Sequence, residues 1–391
     1  MPSRKTYKYR ISPTARQEQT LLFYLRRCRD LYNAGLEERK AYYQMCRTQL
    51  ACYTQINELP DLKRTYPAYQ DLPSHVLQDV LRRLDKAFAA FFRRIRNGET
   101  PGYPRFKSTS RYHSFTYPDA AGWKLQGDRL KLAGVGEVKV KVHREMQGTI
   151  KTVTIRRDIE QWYVTFSCEA PEEAPLPPTA AAVGLDLGVL HFATLSTGEH
   201  IENPRHYRKR LKRIKLLSQI KDHRKKGSHR RKRAAIALAK AHRKVRNQRQ
   251  NFHQQLSRRL VNEYGLLAME DLHILSMTAA PEPKPDPEHE GQYLPNGAAA
   301  KAGLNQSILD AGWGQFQSLC IVKAERAGRR VVLVDPKYTS QLCSGCGAVV
   351  KKELSERWHA CACGVELDRD HNAALNMLFR GQEVAHDATA S

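Results

Sequence analysis

The chain has 391 residues, with 65 Lys and Arg against 40 Asp and Glu, a net charge of +25. That length makes two or three domains with cores of their own, and the charge excess points to a polyanionic partner, nucleic acid first. The opening MPSRKTYKYR is polar and unlike a signal peptide, and no apolar run approaches about 18 residues, so the expectation is a cytoplasmic chain with reduced thiols and no membrane partner.

Residues 5–11 alternate as a strand. Thr14-x-x-Gln17 then forms a capping box for a helix running through Tyr43. A second helix is predicted from His75 to Arg96, with Val76, Val80, Leu84, Phe88 and Phe91 on one face and Asn97-Gly98 as its stop. Gly102-Tyr103-Pro104-Arg105-Phe106 is a turn-rich connector. From about 110 to 170 the period becomes two, as in Val138, Val140 and Val142, which predicts a small antiparallel, barrel-like sheet completed by the first strand. Pro171 to Pro178 reads as a linker and domain boundary.

Beyond it, an apolar strand over Ala181–Leu187 carries Asp186 near its end, and a second strand follows over Val189–Leu195. Residues 205–249 hold 20 Lys and Arg against one acid, Asp222, in a helical run broken near Gly227-Ser228. A solvated face is the ordinary meaning of such a run, but this density exceeds what solubility needs and fits contact with a polyphosphate backbone. Gly265–Met269 is another apolar strand, ending in Glu270. Residues 278–301 are predicted to be a mobile loop. One helix is expected over Gln306–Ala327, a strand over Arg330–Asp335, a last helix from near Asn372, and a disordered tail from Gln382.

Two features carry chemistry. Cys343 and Cys346, then Cys361 and Cys363, form close pairs, each followed by a glycine (Gly347, Gly364). In a reduced chain this spacing reads as one tetrahedral structural Zn2+. The second pair is one residue tighter than a two-residue spacing, and His359 is an alternative fourth ligand. The other feature is a set of carboxylates, Asp186 and Glu270 at strand ends and Asp370 at a helix start. Three converging acids can hold two Mg2+ ions about 3.5–4 Å apart for phosphodiester cleavage. Taken singly, Asp186 reads as a hairpin cap and Glu270 as a solvated strand end.

At these residues the chain resembles a family. Gly184-Leu185-Asp186-Leu187-Gly188, Met269-Glu270-Asp271-Leu272 and Asp368-Arg369-Asp370-x-Asn372-Ala373-Ala374 are similar to the motifs of RuvC-type nucleases. With Asp310-Ala311-Gly312-Trp313, the Thr-Ser-x-x-Cys-x-x-Cys run, Arg29-x-x-Tyr32-Asn33, the Leu77-Gln78 helix and Gly102–Lys107, the whole resembles TnpB, the accessory protein of bacterial insertion sequences and ancestor-like relative of compact type V CRISPR effectors.

The resemblance implies an RNA-guided DNA endonuclease, monomeric on a transposon-encoded guide RNA, cutting double-stranded target DNA beside a short flanking motif. It implies Asp186, Glu270 and Asp370 as catalytic Mg2+ ligands, with Asp368 as a supporting candidate. The implied fold is multidomain α/β and β. A helical recognition domain (13–104) is inserted in a small β-barrel wedge (1–12 and 105–175). A RuvC-like, RNase H-type α/β nuclease domain (176–336 and 365–381) follows, with an inserted zinc ribbon (337–364) and a disordered tail (382–391).

Expected nucleic-acid contacts are Gln78, Tyr103, Arg105, Lys107, Arg208, Lys209, Arg210, Arg230, Arg231, Lys232, Arg233, Arg243 and Lys244. Gln78 has the chemistry to read adenine and is equally a plain surface glutamine. Two other functions use the same features: a strand-transfer transposase and a nuclease-inactive DNA-binding regulator of transposition.

Overall fold

The computed structural model describes residues 3–390 apart from 173, 290, 354 and 355. The chain divides into two compact units, Met1–Glu172 and Glu173–Ser391, at the proline-rich stretch. Among the described residues no helix is long and apolar enough to cross a membrane.

The first unit opens with β1 (Ser3–Ser12) and α1 (Ala15–Cys46). Both bonds of the capping box form: the Gln17 N–H donates to Thr14 Oγ1, and the Thr14 N–H donates to Gln17 Oε1 at 2.9 Å. Two short helices missing from the sequence pattern follow, α2 (Cys52–Asn57) and α3 (Leu59–Thr65), and then α4 (Ser74–Arg96). Helices α1 and α4 meet at Gly35, where a Cβ would come within 3.1 Å of Leu81, so the missing side chain sets their approach.

Six strands complete the unit: β2 (Ser114–Tyr117), β3 (Trp123–Gln126), β4 (Arg129–Leu132), β5 (Gly136–Lys141), β6 (Thr149–Asp158) and β7 (Gln161–Ala170). With β1 they form one antiparallel sheet in the order β2-β6-β7-β1-β5-β4-β3. The expected barrel is therefore corrected to an open sheet, since the edge strands β2 and β3 do not pair. These strands are short, and the Tyr117 ring, at the end of β2, packs on the turn that leads into β3. It sits against Gly122, whose Cβ would come within 2.6 Å of it, and its hydroxyl donates to Ala133 O at 3.0 Å.

The second unit holds a five-stranded sheet in the order β10-β9-β8-β11-β14. Its first members are β8 (Ala182–Asp186), β9 (His191–Leu195) and β10 (His200–Glu202). The helices α5 (His206–Asp222) and α6 (His229–Glu263) follow, then β11 (Leu266–Glu270) and α7 (Ile274–Met277). Residues 278–301, expected as a loop, contain the paired segments β12 (Lys284–Pro285) and β13 (Tyr293–Leu294) and the start of α8 (Ala298–Ala311).

The single helix expected over Gln306–Ala327 is corrected to two, α8 and α9 (Trp313–Arg326). Gly312 at φ +69° ends one and starts the other, a left-handed backbone that suits glycine. β14 (Arg330–Val334), β15 (Trp358–Ala360), β16 (Glu366–Asp368) and α10 (Arg369–Ala390) close the chain. The helix begins three residues before Asn372 and runs through the expected tail, because Glu383-Val384-Ala385 and the alanines beyond lack any helix breaker. Ser391 lies outside the described residues.

Strands β8, β9 and β10 are antiparallel neighbours, whereas β8, β11 and β14 run parallel. Val183, Leu185, Phe192, Leu267, Met269 and Phe316 are buried in the core this sheet builds. Helix α10 lies directly on β8 and β11. A Cβ on Gly184 would fall 2.0 Å from Ala374 O, and one on Gly381 would fall 2.3 Å from the Ala268 Cβ. Bare glycines on both sides let the helix touch the sheet, and that contact fixes where its first turn ends up.

Candidate active site

The register of the parallel strands brings two acids together. Leu185 of β8 lies opposite Met269 of β11, so the next residues, Asp186 and Glu270, are neighbours at the two carboxyl ends. Asp370 stands in the first turn of α10, and the glycine contacts bring that turn to the same end of the sheet.

The electrostatics record the convergence. Burial pushes the Asp186 carboxyl well above the usual range, and Glu270 and Asp370 push it further. Burial likewise raises Glu270 to about 7, with Asp370 adding to it and a hydrogen bond from the Leu187 N–H opposing it. Glu270 is 8% exposed, and its carbonyl accepts from Gln317 Nε2 at 2.5 Å. The exposed Arg357 lies 4.0 Å from Asp370, and the Arg369 guanidinium partly offsets the crowding at Asp186. Three crowded carboxylates, two of them raised by burial and by neighbouring carboxylates, are a hard-oxygen donor set that a divalent cation would relieve. A cleft of about 790 Å3 opens beside Glu270, lined also by Leu187, Asp271, Asp335 and Lys337.

Asp368 has a different job. Its Oδ1 accepts from the Asp370 and His371 N–H groups at 2.9 and 3.1 Å, so it caps α10 and holds Asp370 in its turn. Asp310 caps α5 from outside that helix, accepting from the Tyr207 and Arg208 N–H groups.

The four cysteines also come together. Their sulfurs all lie within 4.8 Å of one another, with Cys343 and Cys363 at 3.5 Å and Cys346 and Cys361 at 3.6 Å. A Zn–S bond of about 2.3 Å in a tetrahedron gives a sulfur–sulfur edge of about 3.8 Å, so the cluster fits a zinc site. The tight second pair is accommodated at the turn of the β15–β16 hairpin, where Gly364 takes φ +91°.

Burial alone would raise the Cys343 thiol, but hydrogen bonds from the Cys346 N–H, His359 and the Gly345 N–H outweigh it and bring it down to about 5. Cys363 keeps a bond from the Val365 N–H, yet the neighbouring thiols push it up to about 12. The thiolate therefore sits at Cys343, where two backbone N–H groups and His359 stabilise it. His359, the alternative ligand, is fully buried, with Lys352 Nζ against its Nδ1, and it lies outside the group of four sulfurs.

Two asparagines that sequence reasoning left without a role tie the knuckle to the acids. Asn372 donates to Leu342 O at 2.7 Å and accepts from the Ser344 N–H at 3.0 Å. Asn376 donates to Thr339 O and Leu342 O, each at 2.8 Å. Both stand on α10 within two turns of Asp370, and their spacing of four was the available signal.

The other predicted residues are scattered over the two units. In the first, Gln78 is half-buried on α4. Tyr103 stacks edge-on against Phe88 and Phe91, and Asn33 holds the Lys107 backbone at 2.8 and 3.0 Å, joining the two N-terminal motifs. Arg105 is exposed. In the second, Arg208, Lys209, Arg230, Lys232, Arg233 and Lys244 are exposed on the α5–α6 hairpin, and Arg210 and Arg243 are half-buried. Arg231 is occupied: it donates to Lys221 O at 2.7 Å and Arg224 O at 2.9 Å, closing the carboxyl end of α5.

Known proteins share this layout. Three family profiles match in series: “Helix-turn-helix domain” over residues 1–47, “Probable transposase” over 165–280 and “Cas12f1-like, TNB domain” over 313–377. A Streptomyces pristinaespiralis protein named “Putative RNA-guided DNA endonuclease” is 33% identical over 97% of this chain and 89% of its own length. Its namesake InsQ of Escherichia coli (strain K12) is 27% identical over 97% and 93%. A solved Cas12f1–sgRNA–target DNA complex has the same fold at a TM-score of 0.58, with 13% identity over 96% of this chain and 98% of that one. The chain belongs to the TnpB family.

Proposed function

We propose that this chain is an RNA-guided DNA endonuclease of an insertion sequence, cutting target DNA beside a short flanking motif. The observation that carries the reading is the convergence of Asp186, Glu270 and Asp370, far apart in sequence, at one end of the second unit's sheet. Three antiparallel strands followed by two parallel ones support an RuvC-like, RNase H-type nuclease domain. In this reading the three carboxylates hold two Mg2+ ions, which when bound activate water and stabilise the leaving oxygen of a phosphodiester.

The chain's own residues prepare that chemistry. Burial keeps the carboxylates poorly hydrated and ready for a cation, Gln317 fixes the Glu270 backbone, and Asp368 fixes the turn that carries Asp370. Cys343, Cys346, Cys361 and Cys363 hold one Zn2+ whose role is structural, since four thiolates leave no open position. The exposed cations of α5 and α6 contact the RNA or heteroduplex backbone. In the first unit, Gln78 and the Tyr103–Lys107 loop face the flanking DNA, the helices form the recognition domain and the open sheet forms the wedge. One copy acts on one RNA.

The test is a set of single variants, Asp186→Ala, Glu270→Ala and Asp370→Ala, assayed for Mg2+-dependent plasmid cleavage and for co-purified RNA. Each loses cleavage and keeps RNA. Robust cleavage by any one of them removes that residue from the site.

A further inference from the structure

Tyr338 is strained, anchored and unused by the fold. Its backbone takes φ +63°, a left-handed conformation disfavoured for any residue with a Cβ. The chain around it is pinned at every step. Arg380 donates to Asp335 O at 2.7 Å and to Lys337 O at 3.0 Å. Tyr338 O accepts from the Gln341 and Leu342 N–H groups at 2.9 and 2.8 Å, and Asn376 holds Thr339 O at 2.8 Å. Yet the side chain this backbone presents is 65% exposed, and it makes no hydrogen bond or ring contact among the described residues. A fold that needed only a turn here would be better served by glycine.

Its position suggests the use. Lys337, the preceding residue, lines the same cleft as Glu270; its ammonium lies 3.9 Å from Asp335, a long ion pair between two exposed side chains (79% and 61%) that a phosphate can replace. The cleft wall therefore offers an ammonium, and the next residue along the chain carries an exposed aromatic face. That pair matches one nucleotide unit, a phosphate and a base. Bases inside a duplex are already stacked on both faces, so the ring has a partner only where the nucleic acid is single-stranded.

We propose that Tyr338 stacks on an unpaired base of the DNA strand entering the acid cleft, with Lys337 on an adjacent phosphate, and so positions that strand for cleavage. This rests on the nuclease reading above. The stacking is indifferent to sequence, because every base has a π-face.

The experiment separates this proposal from that reading by using binding in a cleavage-silent background. Full-length protein carrying Asp186→Ala, with its co-purified RNA, is titrated with single-stranded DNA holding 2-aminopurine at successive positions. Quenching at one or two positions is expected. It survives Tyr338→Phe, and Tyr338→Gly abolishes it with a roughly 5- to 100-fold loss of affinity. RNA content stays unchanged and Tm does not fall, because glycine relieves the left-handed backbone. In the cleaving parent background Tyr338→Gly raises KM for a single-stranded target by a similar factor, which the Asp186→Ala binding result does not depend on. Equal quenching and affinity in Tyr338→Gly overturns the proposal. So does loss of co-purified RNA, which makes guide RNA the partner of the ring, and so does a lowered Tm, which makes the ring structural.

Discussion

Replacing Glu270 by Gln should stabilise the metal-free protein while destroying its activity. Glu270 is raised from 4.5 to about 7 by burial and by Asp370. A raised carboxyl pKa means the folded chain holds a proton that the unfolded chain releases. Stability is therefore lost as pH rises from about 4.5 to about 7, and the loss persists above that. At about 1.4 kcal/mol per pKa unit the ionised group costs roughly 3 kcal/mol above pH 7. About half of that should be recovered, since glutamine must also be desolvated and is a weaker acceptor for the Leu187 N–H. For a unit of this size about 1.5 kcal/mol corresponds to roughly 3–6 °C in Tm.

The assay is thermal unfolding at pH 8 in chelator and then in Mg2+. The variant should melt higher than the parent in chelator, and Mg2+ should raise the parent far more than the variant. Near pH 5 the two should converge, because the parent's carboxyl is then protonated. A variant that melts lower than the parent in chelator at pH 8 would refute the idea that crowded carboxylates are held against their own repulsion.

Elemental analysis should find one zinc per chain, and Cys346→Ser or Cys361→Ser should lose it and lower Tm; stoichiometric zinc in Cys361→Ser would return His359 to the ligand set. Replacing Arg230, Lys232 and Arg233 with alanine should reduce the slope of log K for RNA against log salt by about 2–3, at roughly 0.7–0.9 per phosphate contact, and an unchanged slope would mark them as a solvated face. His253 is fully buried, and burial first of all lowers it from 6.5 to about 4. The unfolded chain therefore gains a proton first as pH falls, stability should drop by roughly 3 kcal/mol between pH 6.5 and 4, and His253→Gln should flatten that part of a denaturation–pH profile. Gly184→Ala should cost roughly 3 kcal/mol or prevent folding, since its Cβ would fall 2.0 Å from Ala374 O; a Tm within a degree of the parent would show that α10 moves freely off the sheet.

Much of the site was legible because its residues sit at element ends that periodicity marks. Asp186 and Glu270 each close an apolar run, and parallel pairing of two such runs leaves their last residues side by side. The capping box at Thr14 was legible for the same local reason. What escaped was set by contacts between distant segments. Whether seven strands close into a barrel depends on whether the two edge strands meet, and period-two alternation is blind to that. The break at Gly312 was hidden inside a continuous helical pattern, because one glycine is tolerated in a helix until its backbone turns left-handed. Arg231 looked like its basic neighbours in sequence, and only the fold shows that it is spent on the carbonyls ending α5. The clamp made by Asn372 and Asn376 depends on carbonyls some thirty residues upstream.

The most direct test of the whole account is to purify the protein with its RNA, exchange only the guide segment, and map the cut in Mg2+ on plasmids carrying the old and new targets. The account predicts that cleavage moves with the guide, needs a constant flanking motif, yields hydrolysed ends and vanishes in Asp186→Ala. A cut that stays at a fixed site whatever the RNA, or products in which strands have been joined, would contradict it.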